Sequence, residues 1–567
     1  MTTATETFAQ KVQQTQRGTI RKWFRRRGAP SAVPKTMRTT THGVVVGLVA
    51  DTGAHVWRGI PFAASTAGAN RWRAPQPAPA WDGVRKALEF ADRCAQLTNE
   101  FDADEGLGPG LVIGSEDCLA LDIYAPPEAH GESLPVMVWI HGGGNVWGRS
   151  SKCDGGRLAC EQNVLVVAVQ YRVGPLGWFA HEALRADAQA PEDGAACFAT
   201  LDLIASLKWI RDNIAEFGGD PNNVTVFGES AGGHNVVTLL GSPLAKGLFH
   251  RAIIQSGAFE STPLAAAEGT EGDLLNPARR IAETVGAHTA DELRAIPVDR
   301  LLHAYTRGPG FLDVPRVIQD GVVLPSEPLL DAFASKKTFN AVPLMIGTNR
   351  DEMKLFYIQN ETMTKKKLGV FVVARDQKNY DSLTGYITRA WRIRAVDEPA
   401  RIMAAAGHLN VHAYRFDWDD GGRVLWTNFQ KVLGAAHGFE IPFVFHRFQH
   451  LGDADRVLFQ KKTKDDRERL SRTMGAYWAS FARDGVPSSH DGPSWPHYGN
   501  SGGCFLRLDA DSDGGIEVVH GSDSLQALIE DVNADPHVDR CLVVNEIGRW
   551  MFGRPIIEKL RAGTGCE

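Results

Sequence analysis

Two serines stand in a G-x-S-x-G pattern: Ser230 in Gly228-Glu229-Ser230-Ala231-Gly232, and Ser501 in Gly499-Asn500-Ser501-Gly502-Gly503. With 58 glycines in the chain the bare pattern is weak. Acyl transfer asks for more: a strand that delivers the serine into a tight strained turn, then a helix whose first amides face the developing negative charge. Only Ser230 has that setting. Asn223-Val224-Thr225-Val226-Phe227 reads as a strand before it, and Ala231-Gly232-Gly233-His234-Asn235-Val236-Val237 reads as a helix after it. Ser501 follows Trp495-Pro496-His497-Tyr498 and enters a short strand, which makes it a turn residue.

A serine nucleophile needs backbone donors for its oxyanion, each worth about 3–4 kcal/mol in the transition state. His141-Gly142-Gly143-Gly144 directly follows the apolar run Val136–Ile140 and lies upstream of Ser230, where the second half of an oxyanion hole belongs. Glycines there let the backbone approach a substrate without a Cβ in the way. The order of parts in this kind of site is serine, acid, histidine. His437, in the small-residue loop Gly434-Ala435-Ala436-His437-Gly438, suits the base, whereas His412 falls inside a strand pattern and His490 in a polar turn. For the acid, the exit of a strand over Pro343–Ile346 carries two adjacent carboxylates, Asp351 and Glu352, and pattern alone does not separate them.

The elements that would hold these residues are legible as short β-branched runs alternating with helical stretches, the signature of a mostly parallel sheet with crossover helices on both faces. Strands are predicted at Val136–Ile140, Val164–Gln170, Val224–Phe227, Arg251–Gln255, Pro343–Ile346 and Val411–Phe416. Leu201, Leu203, Ile204, Leu207, Ile210 and Ile214 recur at helical spacing and predict a crossover helix. The segments 258–340 and 355–410 are too long for simple connections and are expected to fold into helices over one end of the sheet. The 567 residues contain no repeat or low-complexity linker, so the expected organisation is one α/β domain over 41–567 behind a basic N-terminal arm, 1–40.

In that arm Lys11, Arg17, Arg21, Lys22, Arg25, Arg26, Arg27, Lys35 and Arg38 face only Glu6, and it reads as a solvated tail more readily than as a membrane or polyanion contact. A net charge of −6 sets up no field that would gather nucleic acid. No export signal or membrane-spanning run is legible, which points to the cytoplasm without excluding secretion. Eight cysteines are too sparse for a disulfide scaffold and show no zinc spacing. Asp509-Ala510-Asp511-Ser512-Asp513-Gly514 resembles half a calcium loop, but its twelfth position is His520 rather than Glu, and it reads as a hairpin turn. His446 and His450 have i, i+4 spacing without the zincin Glu. No metal or other cofactor is expected.

Together these stretches resemble the type-B carboxylesterase and cholinesterase-like family from about Thr41 to Tyr498. The likeness is carried by Gly59-Ile60-Pro61-Phe62-Ala63, Ser115-Glu116-Asp117-Cys118-Leu119, His141 to Gly144, Phe217 to Thr225, the Ser230 turn, Gln255-Ser256-Gly257, Asp351-Glu352, His437-Gly438-Phe439-Glu440 and Trp495-Pro496. The resemblance implies an α/β-hydrolase fold and a serine esterase acting on small-molecule carboxylic esters. It also implies Glu352 as the acid, amides of Gly143, Gly144 and Ala231 as the oxyanion hole, and Glu229, Ser256 and Glu440 as a buried supporting network. Cys94 and Cys118 look like a pair that secreted relatives bridge. Asn145, Cys197, Ala199 and Met353 depart from the family pattern, and Asn145 is expected to reshape the substrate entrance. The same triad would serve an amidase, carbamate hydrolase or thioesterase; a non-catalytic binding protein of this fold typically lacks a triad member. Acyl and alcohol preference and oligomeric state are not legible.

Overall fold

A computed structural model describes residues 30–99, 102, 106–272, 277–305, 317–449, 454–550 and 554–566. Its centre is an eleven-stranded sheet. In chain order the strands are β1 (Leu48–Val49), β2 (His55–Pro61), β3 (Ala120–Ala125), β4 (Leu134–Ile140), β5 (Leu165–Val169), β6 (Gly219–Glu229), β7 (Arg251–Gln255), β8 (Leu344–Asn349), β9 (Val411–Phe416), β10 (Cys504–Leu508) and β11 (Glu517–His520). Their spatial order is β11-β10-β9-β8-β7-β6-β4-β5-β3-β2-β1. The run from β10 to β5 is parallel, while β1, β2 and β3 close one edge and β11 the other with antiparallel pairs. All six predicted strands are present, β6 and β8 extending beyond the forecast.

The apolar strand sequences follow from burial on both faces. Side chains alternate across a strand. Thus Val136, Val138 and Ile140 of β4 enter one core while Met137 and Trp139 enter the opposite one, and β5 divides in the same way. Helix α1 (Phe198–Asn213), the predicted crossover, and α2 (Ala231–Gly241) pack on the first face. The helix α4 (Lys464–Asp484) packs Leu470, Met474, Tyr477, Trp478 and Phe481 on the second. A third core joins α3 (Gln377–Arg392) to the C-terminal helices α5 (Leu525–Ala534), α6 (Arg540–Trp550) and α7 (Arg554–Thr564), with Met353 at its root.

Two expectations need correction. The segment 355–410 is not all helix: Thr364–Lys367 and Phe371–Ala374 form an antiparallel hairpin. Its three consecutive lysines hide the usual alternation of a half-buried strand. Residues 34–40 do not behave as arm: Arg38–Thr40 pairs with Gly43–Val46, and buried Thr36 accepts from Gly47 N and holds Trp57 Nε1 through its own carbonyl. The rest of the arm's cations, from Lys11 to Arg27, lie outside the described residues. Asp509–Gly514 connects the antiparallel strands β10 and β11, as the hairpin reading requires. No helix among the described residues is long and apolar enough to cross a membrane.

Candidate active site

Ser230 leaves the C-terminal end of β6 and caps the N-terminus of α2 with φ 58° and ψ −122°. A non-glycine residue at positive φ is strained, and such strain persists only where the surroundings over-determine it. Here Ser230 N donates to Gln255 O of β7 at 2.8 Å, and His234 N donates to Ser230 O at 2.9 Å. Gly232 is required by contact, since a Cβ there would lie 2.0 Å from Ile140 O. Ser501, the other pattern serine, ends the short 3-10 helix Tyr498–Ser501.

The glycine loop lies against this turn. A Cβ on Gly142 would come within 3.2 Å of Ser230 Cβ. Gly143 and Gly144 follow with φ 104° and 59°, conformations open to glycine. Ala231 is the first residue of α2, and first-turn amides have no acceptor within their helix. Asn145 does not line an entrance. It is buried at positive φ, its Oδ1 accepting from Asn235 Nδ2 at 2.9 Å and its carbonyl from Gly174 N at 2.6 Å, so it pins the loop to the core. Of the other departures from the family pattern, Cys197 exchanges hydrogen bonds with Ile318 and Ala199 N donates to Gly177 O.

Glu352, not Asp351, reaches the imidazole: Glu352 Oε2 is 2.5 Å from His437 Nδ1. Asp351 serves the same loop differently, accepting from Ala435 N and pairing with Arg350 and Lys354. Glu352 Oε1 accepts from Ser256 Oγ at 2.5 Å and from Asn349 N at 2.7 Å. Glu440 accepts from Gln255 Nε2 and Asn349 Nδ2. Glu229 lies on the other side of the ring, its Oε1 3.1 Å from His437 Nε2. Glu229, Glu352 and Glu440 are all buried. Burial lifts Glu229 to about 8, against the pull of His437, and raises Glu440 as well. For His437 burial favours the neutral ring, but Glu229 and Glu352 outweigh it and carry the group up to about 9.

The wall beside the base is aromatic. Phe356 and Trp391 each stand 5.1 Å from the His437 ring, and Trp550 of α6 packs on Phe356 at 4.8 Å. Trp550 Nε1 donates to Tyr357 Oη. No motif marks these three residues, which meet only through the third core. Cys541 of α6 is bridged to Cys566, just beyond α7. The resemblance-based pair Cys94 and Cys118 is also joined. Gln96, two residues beyond Cys94, exchanges side-chain hydrogen bonds with both backbone groups of Gly148, at the far end of the glycine loop.

A sequence profile of the carboxylesterase family matches residues 34–392 and 373–522. The para-nitrobenzyl esterase of Bacillus subtilis (strain 168) is 33% identical over 501 residues, spanning 83% of this chain and 94% of that one. This chain belongs to the carboxylesterase family. The carboxylesterase is also 32% identical over 515 residues to the human cocaine esterase, covering 83% of this chain and 87% of the relative. A solved PNB esterase superimposes with a TM-score of 0.66 at 30% identity, over 86% of this carboxylesterase and 97% of the other chain. The α/β-hydrolase fold and the class of carboxylic ester hydrolase follow from this membership.

Proposed function

We propose that this carboxylesterase cleaves esters through an acyl-enzyme on Ser230, with His437 as base, Glu352 as its orienting acid, and the amides of Gly143, Gly144 and Ala231 as oxyanion donors. The observation that carries the reading is the buried Glu352–His437 contact of 2.5 Å. A carboxylate on Nδ1 fixes the tautomer that leaves Nε2 free to take a proton. That nitrogen accepts the Ser230 hydroxyl proton as Oγ bonds to the acyl carbon, and returns it to the departing alcohol. Water then attacks the acyl-enzyme, giving its proton to His437, and the acid leaves as Ser230 recovers its hydrogen. Ser256 and Asn349 N hold Glu352, Glu440 fixes Asn349 and Gln255 behind it, and Glu229 stabilises the imidazolium that forms. No step calls for a cofactor.

Ser230→Ala tests the assignment with a p-nitrophenyl ester: loss of a serine nucleophile removes about six orders of magnitude in turnover. Retained hydrolysis, or fluorophosphonate labelling at another serine, overturns it. We also propose an oxidising compartment in place of the expected cytoplasmic one, because two disulfides are bonds that such compartments preserve. Fractionation of the source cells checks this; enzyme in the cytosol with all eight cysteines reduced is the contrary result.

A further inference from the structure

Two hairpins outside the catalytic machinery meet at their tips. The first is Thr364–Lys367 with Phe371–Ala374, the second Arg423–Val424 with Thr427–Asn428, and the rings of Phe371 and Trp426 join them at 5.3 Å. The tips carry the most exposed large apolar side chains among the described residues: Leu368 at 77%, Val370 at 68% and Leu425 at 63%, with Trp426 beside them at 43%. Scattered exposed apolar residues are ordinary, but a contiguous apolar group on two adjacent loop tips marks a contact surface.

Backbone conformation sharpens this. Leu368 and Leu425 both sit at their turns with positive φ, 50° and 47°. Glycine or asparagine would relieve that strain at an exposed turn. Leu368 and Leu425 stay 77% and 63% exposed among the described residues, so little packing there repays the strain, and their use lies outside the fold.

The rim is cationic. Lys365, Lys366 and Lys367 are exposed, exposed Arg423 donates to the Leu425 carbonyl, and none of the four makes an ion pair among the described residues. In register, Lys365 opposes Val373 and Lys367 opposes Phe371, so two of the lysines share the face that carries Phe371. Exposed leucine, valine and tryptophan ringed by lysine and arginine complement one environment: the headgroup region of an anionic bilayer, where apolar tips enter, tryptophan settles at the interface and cations meet lipid charge.

We propose that the paired hairpin tips, Leu368-Gly369-Val370 and Leu425-Trp426 with Lys365–Lys367 and Arg423, dock this enzyme on an anionic lipid surface. The site goes beyond the ester chemistry and does not depend on Ser230. The chain reaches the surface as a peripheral protein, held by shallow insertion and charge.

The test is co-sedimentation of the full chain with phosphatidylcholine vesicles, with and without phosphatidylserine. Wild type is expected to bind the anionic vesicles and to be released by salt. Each cation near such a surface contributes a factor of about five. Replacing Lys365, Lys366 and Lys367 by Gln therefore lowers partitioning at least about tenfold, as does replacing Leu368, Val370, Leu425 and Trp426 by Ser. Turnover of a water-soluble ester stays unchanged in both and reports that they fold. Should the serine variant fail to fold, Trp426→Phe gives a second reading: brominated lipid quenches wild-type fluorescence more than that of the variant. The proposal is overturned by absence of wild-type binding, by binding that both multiple variants keep, which places the contact in another segment, or by equal quenching in wild type and Trp426→Phe. Concentration-dependent dimerisation that the serine variant abolishes, without vesicle binding, assigns the patch to a second copy of the chain and likewise overturns it.

Discussion

Glu229 Oε1 lies 3.1 Å from His437 Nε2, the ring nitrogen that faces away from Glu352. A carboxylate at each end of one buried imidazole makes the protonated ring unusually comfortable, and the pH dependence of the enzyme should carry that mark. Burial would push His437 down, yet the two carboxylates carry it up to about 9. The base works as neutral imidazole, so the acid limb of kcat/KM is expected above the ordinary histidine value of 6.5. Glu229→Gln removes one negative charge, favours the neutral ring, and moves that limb to lower pH by about one unit or more. A pH–rate profile in which the limb stays put contradicts this account.

Ser256→Ala deletes the 2.5 Å hydrogen bond to Glu352 Oε1 but leaves the one from Asn349 N. A hydrogen bond to a charged group is worth about 1.5–3 kcal/mol. The expected result is a fall in kcat of roughly ten- to a hundred-fold with little change in KM, read by steady-state kinetics. A change confined to KM would mean that Ser256 touches substrate rather than the acid.

Trp550→Ala removes the outer member of the Phe356–Trp550 contact beside the base. Larger acyl or alcohol groups should gain relative to small ones in a panel of esters compared by kcat/KM, with one ring's worth of space giving about a tenfold change in the ratio. An unchanged ratio would place the substrate on the other side of His437.

The pair Cys541→Ser and Cys566→Ser opens a loop whose ends are 25 residues apart. Loops of that size are stabilised by a bridge by about 3 kcal/mol. Hydrogen exchange should rise in α6 and α7 first, and the ester panel should shift in the same sense as for Trp550→Ala. Protection unchanged in those helices would show that the third core holds them without the bridge.

Four cysteines, Cys153, Cys160, Cys197 and Cys504, are free, and four are bridged. Unfolded without reductant, the purified protein should therefore titrate four thiols, and eight after reduction. A count of eight before reduction removes both bridges.

The legible parts of this site are those with a local chemical reason. Ser230 could be told from Ser501 because a strand and a helix must flank a nucleophile at such a turn, and each is written in neighbouring residues. Asp351 and Glu352 could not be separated from pattern because both exits from β8 touch the histidine loop, one through the ring and one through the Ala435 amide. Asn145 follows a glycine triplet that reads as an open loop, and its burial and its hydrogen bonds from Asn235 and Gly174 show that it is a bracket. Phe356, Trp391 and Trp550 carry no motif; their meeting depends on helices remote in sequence packing into a shared core. The lysine hairpin was hidden for the opposite reason, since Lys365 and Lys367 face solvent and leave no alternation to read.

That aromatic wall has a temporal meaning. The last member of the triad, His437, leaves the ribosome before Trp550 does, by on the order of ten seconds at ordinary elongation rates. Through that interval a nascent chain can hold its triad in place while one flank of the site stands open to solvent or to a chaperone. Reactivity would then come first, and discrimination between substrates would arrive with the last helices.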